Sequence, residues 1–354
     1  MKKYVYLLLL PLLFCCSSET RQVYLECGTT EYVKDFPKKL EIKEADLQRL
    51  NANLAGCVDF FLADSLLICK YVNKDYFWEV CPLTDLSSKE RLLRKGHGKH
   101  EFMYIPGSEF VNSSDTGVTC DFLAQNDVFY RCNLTKSLDE GKLCVDEIHA
   151  GTKLDDAFYV SALNDSTFFV NRSNGFGFQR EILVGGQRKE IGNIGNLNKV
   201  RATEDINTVS FVACVNKQKG MVAEAMLYLN QINLYSIFDS AHQNKTICIG
   251  DELMNVAKVD EMSKRKKKWT FAKIKSYSDY FVVLCQNATE KELYDGNRES
   301  YLLVFDWGGT PLLKIVIPFM ASSFGISDTG DIYIFDSYGK FEKLFLYKNI
   351  NDII

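Results

Sequence analysis

One unit recurs along this chain: an apolar strand, a tight turn rich in Asn, Asp, Ser and Gly, and a second apolar strand. It occurs six times, as "CVDFFLADSLLICKY" from 57, "TCDFLAQNDVFYRCN" from 119, "FYVSALNDSTFFVNR" from 158, "TVSFVACVNKQKGMVAEAMLY" from 208, "FAKIKSYSDYFVVLCQN" from 271 and "SSFGISDTGDIYIFDSY" from 322. A second hairpin follows most copies, clearest around Gly185-Gly186 and Gly308-Gly309, where glycine supplies the positive φ of a two-residue turn. Two hairpins make four strands. Six such units predict an all-β fold, a six-bladed β-propeller of four-stranded antiparallel blades, in which neighbouring blades cover each other's faces and little strand edge is left open.

The uneven spacing of the copies reads as loop insertion. The last unit runs out of chain before a fourth strand, so "FPKKLEIKEADL", residues 36 to 47, is expected to supply it and close the ring by pairing the two chain ends. Residues 18 to 28 are expected to be dispensable. Asp64, Asp127, Asp165 and Asp328 recur at the turn of the repeated hairpin and read as turn formers, since Asp tolerates left-handed geometry there.

The chain begins "MKKYVYLLLLPLLFCCSSET", with two lysines, an apolar run from Tyr4 to Phe14, and then Cys15-Cys16 before polar residues. This is the pattern of an export signal, too short to span a bilayer as a helix. It matches a bacterial lipobox with Cys16 as the lipidated residue, because a small residue is favoured just before that cysteine and Phe14 excludes Cys15. The expected organisation is a signal peptide over 1–15, a lipid-anchored tether over 16–30 and the propeller over 31–354, with the membrane as partner through the anchor.

The formal charge of −4 becomes more negative once Lys2 and Lys3 leave, which argues against a nucleic-acid partner. Most of the ten cysteines after Cys16 sit in apolar strand-like runs, such as Cys69 in "LLICKY" and Cys285 in "FVVLCQ", and read as small core residues rather than as disulfide or zinc pairs. Cys57, Cys69 and Cys81 are spaced like Cys120, Cys132 and Cys144, which suggests related units.

The Gly-x-Gly-x-x-Glu-Phe of "GHGKHEF", together with "YLLVFDWGGTPLLKIVI" followed by "FGISDTGDIYIF", resembles the TolB-like six-bladed propeller lipoproteins of Bacteroidetes. The likeness runs over nearly the whole mature chain, with Lys99-His100 where such relatives usually carry Pro-Gly. It implies the fold and a lipid-anchored setting at the cell envelope. It implies no reaction and no catalytic residues.

Within "RKGHGKHEF", His97, His100 and Glu101 could form a metal clasp, a phosphate loop or a turn. Glu101 stands where the third glycine of a dinucleotide fingerprint belongs, and Pro106-Gly107 interrupts any following helix, so the phosphate reading fails. The segment reads as the link between the first two blades, with Phe102 packed between them. Such links converge over one channel mouth and bring there Glu101, Asp115, His149, Asp155, Asp156, Glu204, Asp205 and Asp260. His97, His100, Glu101, His149, Asp155, Asp156, Glu204 and Asp205 are therefore the candidate binding residues.

No Gly-x-Ser-x-Gly elbow or other nucleophile set is present. The basic run Lys264 to Lys268 reads as a solvated loop. The function expected is a binding or scaffolding module at the bacterial envelope for a protein, peptide or glycan, with no cofactor. The alternative is a hydrolase or lactonase using a divalent metal held by Glu101, Asp156 and Glu204.

Overall fold

The computed structural model describes residues 23–350 apart from 105–106, 116, 125–127, 149–153, 155, 239–243, 296–297 and 340. Three short strands come first: β1 (Thr29–Val33), β2 (Lys39–Glu41) and β3 (Gln48–Arg49). Six blades follow. Blade 1 contains β4 (Cys57–Ala63), β5 (Leu66–Tyr71), β6 (Tyr76–Pro82) and β7 (Glu90–Arg94). Blade 2 contains β8 (Gly107–Ser114), β9 (Gly117–Leu123), β10 (Phe129–Asn133), a short helix α1 (Leu134–Glu140) and β11 (Val145–Ile148). Blade 3 contains β12 (Ala157–Asn164), β13 (Thr167–Asn174), β14 (Gly177–Val184) and β15 (Gln187–Glu190). Blade 4 contains β16 (Phe211–Asn216), β17 (Met221–Met226), β18 (Gln231–Ser236) and β19 (Lys245–Ile249). The helix α2 (Val256–Asp260) leads to blade 5, made of β20 (Lys268–Ser276), β21 (Tyr280–Thr289), the helix α3 (Glu290–Tyr294), β22 (Ser300–Asp306) and β23 (Pro311–Ile317). Blade 6 contains β24 (Ser323–Ile326), β25 (Ile332–Asp336) and β26 (Lys343–Tyr347). Its fourth strand is β3. No helix among the described residues is long and apolar enough to cross a membrane.

The protein is thus a six-bladed β-propeller whose chain ends pair, with three adjustments to the sequence reading. First, the strand that closes blade 6 is Gln48–Arg49, opposite Phe345 and Leu346, just beyond the expected segment 36–47. That segment instead contributes Lys39–Glu41 as a fifth, parallel strand on β23 of blade 5. Second, β1 adds a fifth, parallel strand to blade 4 along β19. The chain start is therefore a strap across the outer edges of three consecutive blades. The strap reaches into the span read as a tether: Leu25 and Cys27 are buried, the Cys27 amide donates to Thr246 Oγ1 at 3.0 Å, and Val23 O accepts from the Val256 amide. Residues 23–28 are therefore part of the body, and Cys16 lies outside the described residues.

Third, the copy from 119 is not an inner hairpin. It forms β9 and β10, the second and third strands of blade 2, and the inner strand is the more polar β8. With that shift the inner strands begin at Cys57, Gly107, Ala157, Phe211, Lys268 and Ser323, so the unit recurs every 50–57 residues. Asp64 (φ 54°), Asp165 and Asp328 occupy inner-hairpin turns as expected; residue 127 lies outside the described residues.

The second and third strands of a blade are covered on both faces by neighbouring blades, which explains why β5, β17 and β18 are buried along their whole length. Trp78 of blade 1 meets Phe61 at 5.4 Å and, across the interblade gap, Phe122 of blade 2 at 5.1 Å. The ten cysteines from Cys27 onward are free thiols, all but Cys144 buried. Burial pushes Cys27, Cys132 and Cys285 up to about 12, which keeps them protonated and inert.

Candidate functional site

The inner strands of all six blades surround a cavity of about 430 Å³ on the ring axis. The short β24 lets its neighbours approach: a Cβ on Gly325 would lie 2.9 Å from Leu62 Cγ, so only glycine fits against blade 1 there. Lys273 of blade 5 consequently reaches past blade 6 to Asp59 of blade 1, with Nζ 2.6 Å from the carboxylate. Lys70 is the β5 residue opposite Asp59. Lys275 Nζ lies 3.5 Å from Phe60 O and 5.5 Å from the Phe60 ring.

Among the described residues, the charged side chains lining the cavity are Asp59, Lys70, Lys273 and Lys275. Burial would raise the Asp59 carboxyl, but Lys273, Lys70 and Lys275 together hold it well below the usual carboxylate range.

The wall formed by blades 2 to 4 has the opposite character. Phe110, Phe158 and Phe211 line it. Phe158 leaves 46% of its surface open and stands against Phe178 at 4.8 Å and Phe211 at 5.4 Å. Beyond Phe110, Lys217 Nζ sits 3.5 Å from that ring, and burial lowers this lysine to about 8.

The residues expected at the mouth do not assemble into one site. The "GHGKHEF" segment is a closed turn. Gly98 N–H donates to Glu101 Oε2 at 2.9 Å, Glu101 N–H to Gly98 O at 3.1 Å, and Phe102 N–H to Arg94 O at 2.9 Å. Gly96 leaves room for the folded-back carboxylate, since a Cβ there would be 2.0 Å from Glu101 Oε2. The left-handed position is taken by His100 (φ 64°), and both His97 and His100 face solvent. Phe102 is buried between blades 1 and 2, 5.7 Å from Phe122 and 5.5 Å from Tyr130.

Accordingly, Phe102→Ala is expected to destabilise by about 3–5 kcal/mol in urea unfolding. His97→Ala should stay within about 0.5 kcal/mol, and His100→Gly should be neutral or stabilising because it relieves the left-handed residue. A larger loss from either histidine than from Phe102 would overturn the turn reading.

Asp205 and Asp260 serve a different purpose. Asp260 accepts from the amides of Thr203, Glu204 and Asp205 and from the hydroxyls of Thr203 and Thr208, all at 2.6–3.0 Å, and so ties the link before blade 4 to α2. Burial opposes ionisation at Asp260, yet these donors keep its carboxyl below the ordinary range. Asp205 pairs at 3.0 Å with Lys267, which is buried, unlike its neighbours in the basic run. Glu204 is exposed, as is Asp156 in a left-handed turn (φ 60°). Asp115 lies in the turn between β8 and β9, at the opposite end of the ring from the links. His149, Asp155 and His242 lie outside the described residues. Among the described residues no group of three or more His, Cys, Asp or Glu is placed to hold a metal ion.

The charged channel residues lie on strands of the inner hairpins rather than in the links between blades, where the sequence placed the candidate site. Their signal was present as charges inside apolar inner-hairpin strands: Asp59 in "CVDFFLA", Lys70 in "LLICKY", and Lys273 and Lys275 in "FAKIKSY".

Solved structures match the chain over most of its length. A member of the DUF4221 family from Bacteroides vulgatus is 12% identical, covering 87% of this chain and 99% of that one, with a TM-score of 0.47. A protein from Bacteroides fragilis designated as exported is 10% identical, covering 90% of this chain and 100% of that one, with a TM-score of 0.52. At such identities the likeness is one of fold. No protein-family model matches the sequence, and no curated protein matches it.

Proposed function

We propose that the protein is a binding module of the bacterial cell envelope, of the TolB-like propeller kind, exported by its N-terminal signal, anchored through lipid on Cys16, and taking a small molecule in its central channel. The observation that carries this reading is the axial cavity itself. At about 430 Å³ it is within the range of roughly 300–1,000 Å³ usual for small-molecule sites, and its walls are mostly apolar with a few converging charges. The Bacteroides fragilis protein designated as exported supports the setting.

The metal hydrolase reading has less support. Of the carboxylates it would use, Glu101 is folded into its own turn, and Glu204 and Asp156 are exposed in separate links. Asp59, the one carboxylate among the described residues of the cavity wall, is held by a lysine.

Ala213 of β16 lines the cavity, so Ala213→Trp should fill it. The test is native mass spectrometry after incubation with a small-molecule extract of the envelope fraction. Wild type should retain one or more compounds that the filled variant, folded to the same melting temperature, does not. Equal retention by both proteins, or none by wild type, would sink the channel reading.

A further inference from the structure

Resting on the anchoring through Cys16, we infer that the propeller lies on an anionic phospholipid bilayer by one end of its ring, with Lys264, Arg265 and Lys266 against the headgroups and Met262, Tyr294 and Phe341 set into the interfacial layer beside them. In blades built as up-and-down meanders, the links between blades and the turns between second and third strands fall at one end of the ring. Three features mark that link end.

The first is the root of the tether. Val23 O accepts from the Val256 amide at 2.8 Å, at the start of α2 in the link between blades 4 and 5, and Val23 packs beside Met254 and Trp269 on one apolar cluster. Seven residues lead from Cys16 to Val23, a reach of at most about 25 Å. A lipid on Cys16 therefore keeps the link end, rather than the opposite one, close to the bilayer.

The second is charge at that root. The chain leaves the same cluster after Val259 and returns to it at Trp269, and the loop between carries the basic run. Lys264, Arg265 and Lys266 form one turn of 3₁₀ helix with all three side chains exposed, and none of them is in an ion pair with a described residue. Lys267 turns inward to Asp205, and Lys268 lies within electrostatic reach of Glu292 of α3, so neither is counted. Each exposed cation beside an anionic bilayer strengthens association about fivefold. Glu261 opens the same loop, but screening over about 8 Å at physiological salt leaves the acids on the far side of the ring with little influence.

The third is apolar exposure. The exposed large apolar side chains of the turns and links are Tyr104, Phe176, Met262, Tyr294 and Phe341 at the link end, against Val184 and Phe238 at the other. Tyr294 is 65% exposed and Phe341 72%. They are neighbours across two blades, because Tyr294, at the end of α3, stands edge-on at 5.6 Å to Tyr338 in the blade 6 turn that carries Phe341. Aromatic side chains favour the headgroup level of a membrane, and a lipid chain holds firmly when a basic patch and shallow apolar contacts act with it.

The test uses the acylated mature protein, whose intact mass first establishes the lipid, reconstituted into vesicles of equimolar phosphatidylethanolamine and phosphatidylglycerol with brominated chains. Fluorescence of Phe341→Trp, read over the native tryptophans, should be quenched by the bromine, whereas that of Val184→Trp at the opposite end should not. Both sites are exposed, and both variants should melt with wild type. Adding Lys264→Gln, Arg265→Gln and Lys266→Gln to Phe341→Trp should lower the docked-to-undocked ratio about a hundredfold and remove the quenching. Exchanging phosphatidylglycerol for phosphatidylcholine should do the same.

Equal quenching at 341 and 184 in the acylated protein, the result expected if this face serves a protein partner instead, would overturn the docked orientation and leave the anchor standing. Quenching at 341 that survives both the triple substitution and the neutral lipid would overturn the role of the basic loop. A mature protein without the acyl mass would overturn the anchoring itself, before any vesicle is made.

Discussion

Glu224→Ala should lower the unfolding free energy by about 3–5 kcal/mol, the usual loss when one partner of a buried ion pair is removed. Glu224 lies in the middle of β17, fully buried, in a strand that otherwise reads "MVA" and "AM". Its carboxylate accepts from Arg180 Nε at 3.0 Å and Nη2 at 2.7 Å, from Asn171 Nδ2 at 2.9 Å and from Tyr235 Oη at 2.6 Å. Arg180, itself 1% exposed, also donates through Nη1 to Leu197 O at 2.7 Å.

The group clamps β14 of blade 3 to β17 of blade 4. Burial works against the guanidinium charge, but Glu224 more than offsets it and keeps Arg180 firmly protonated. Removing the carboxylate strands that charge between two blades. Replacing both partners, as Arg180→Met with Glu224→Met, should recover much of the loss, because neither buried charge then remains. Urea unfolding of the three proteins decides the matter; a single variant no less stable than the double would mean that the ion pair is not what holds these blades together.

The second large effect concerns the strap. Deleting residues 23–49 should leave no cooperative unfolding transition and a protein that aggregates. The deletion strips the outer edges of β19, β23 and β26, removes the buried Leu25 and Cys27, and leaves blade 6 with three strands. Deleting only 18–28 removes part of this and should also destabilise, contrary to the sequence expectation, since Leu25 and Cys27 belong to the core of blades 3 and 4. A synthetic peptide of residues 23–49 added in trans should restore solubility to the long deletion by strand addition. A monomeric deletion protein with the wild-type melting temperature would show the strap to be dispensable.

The blade count was legible because apolar hairpins at roughly regular intervals leave few architectures open. The register of blade 2 was not. Its inner strand "GSEFVNSS" is more polar than the hairpin behind it, and the twelve-residue cysteine spacing made Cys120 on β9 look equivalent to Cys57 on β4. The strap was only partly legible, since β2 and β3 are three and two residues long and largely exposed, too short for any periodicity. The candidate site was illegible as a constellation for a topological reason. Asp59 and Lys273 are 214 positions apart, and only closure of the ring, with a short glycine-bearing β24 between them, makes them neighbours.

The strap also fixes an order of events during biosynthesis. Thr29 pairs with Lys245, Lys39 with Lys314 and Arg49 with Phe345, so the first part of the body to leave the ribosome binds to strands made late or last. Loop closure over such separations is slow, and it occurs only after blades 4 to 6 exist to receive the strap. The nascent chain can therefore stack its blades one after another but cannot complete the ring until β26 has emerged. In the finished protein the same pairing makes the two termini a single opening unit. Amides of β3 and β26 should exchange with solvent together, at one rate set by the lifting of the strap from blade 6.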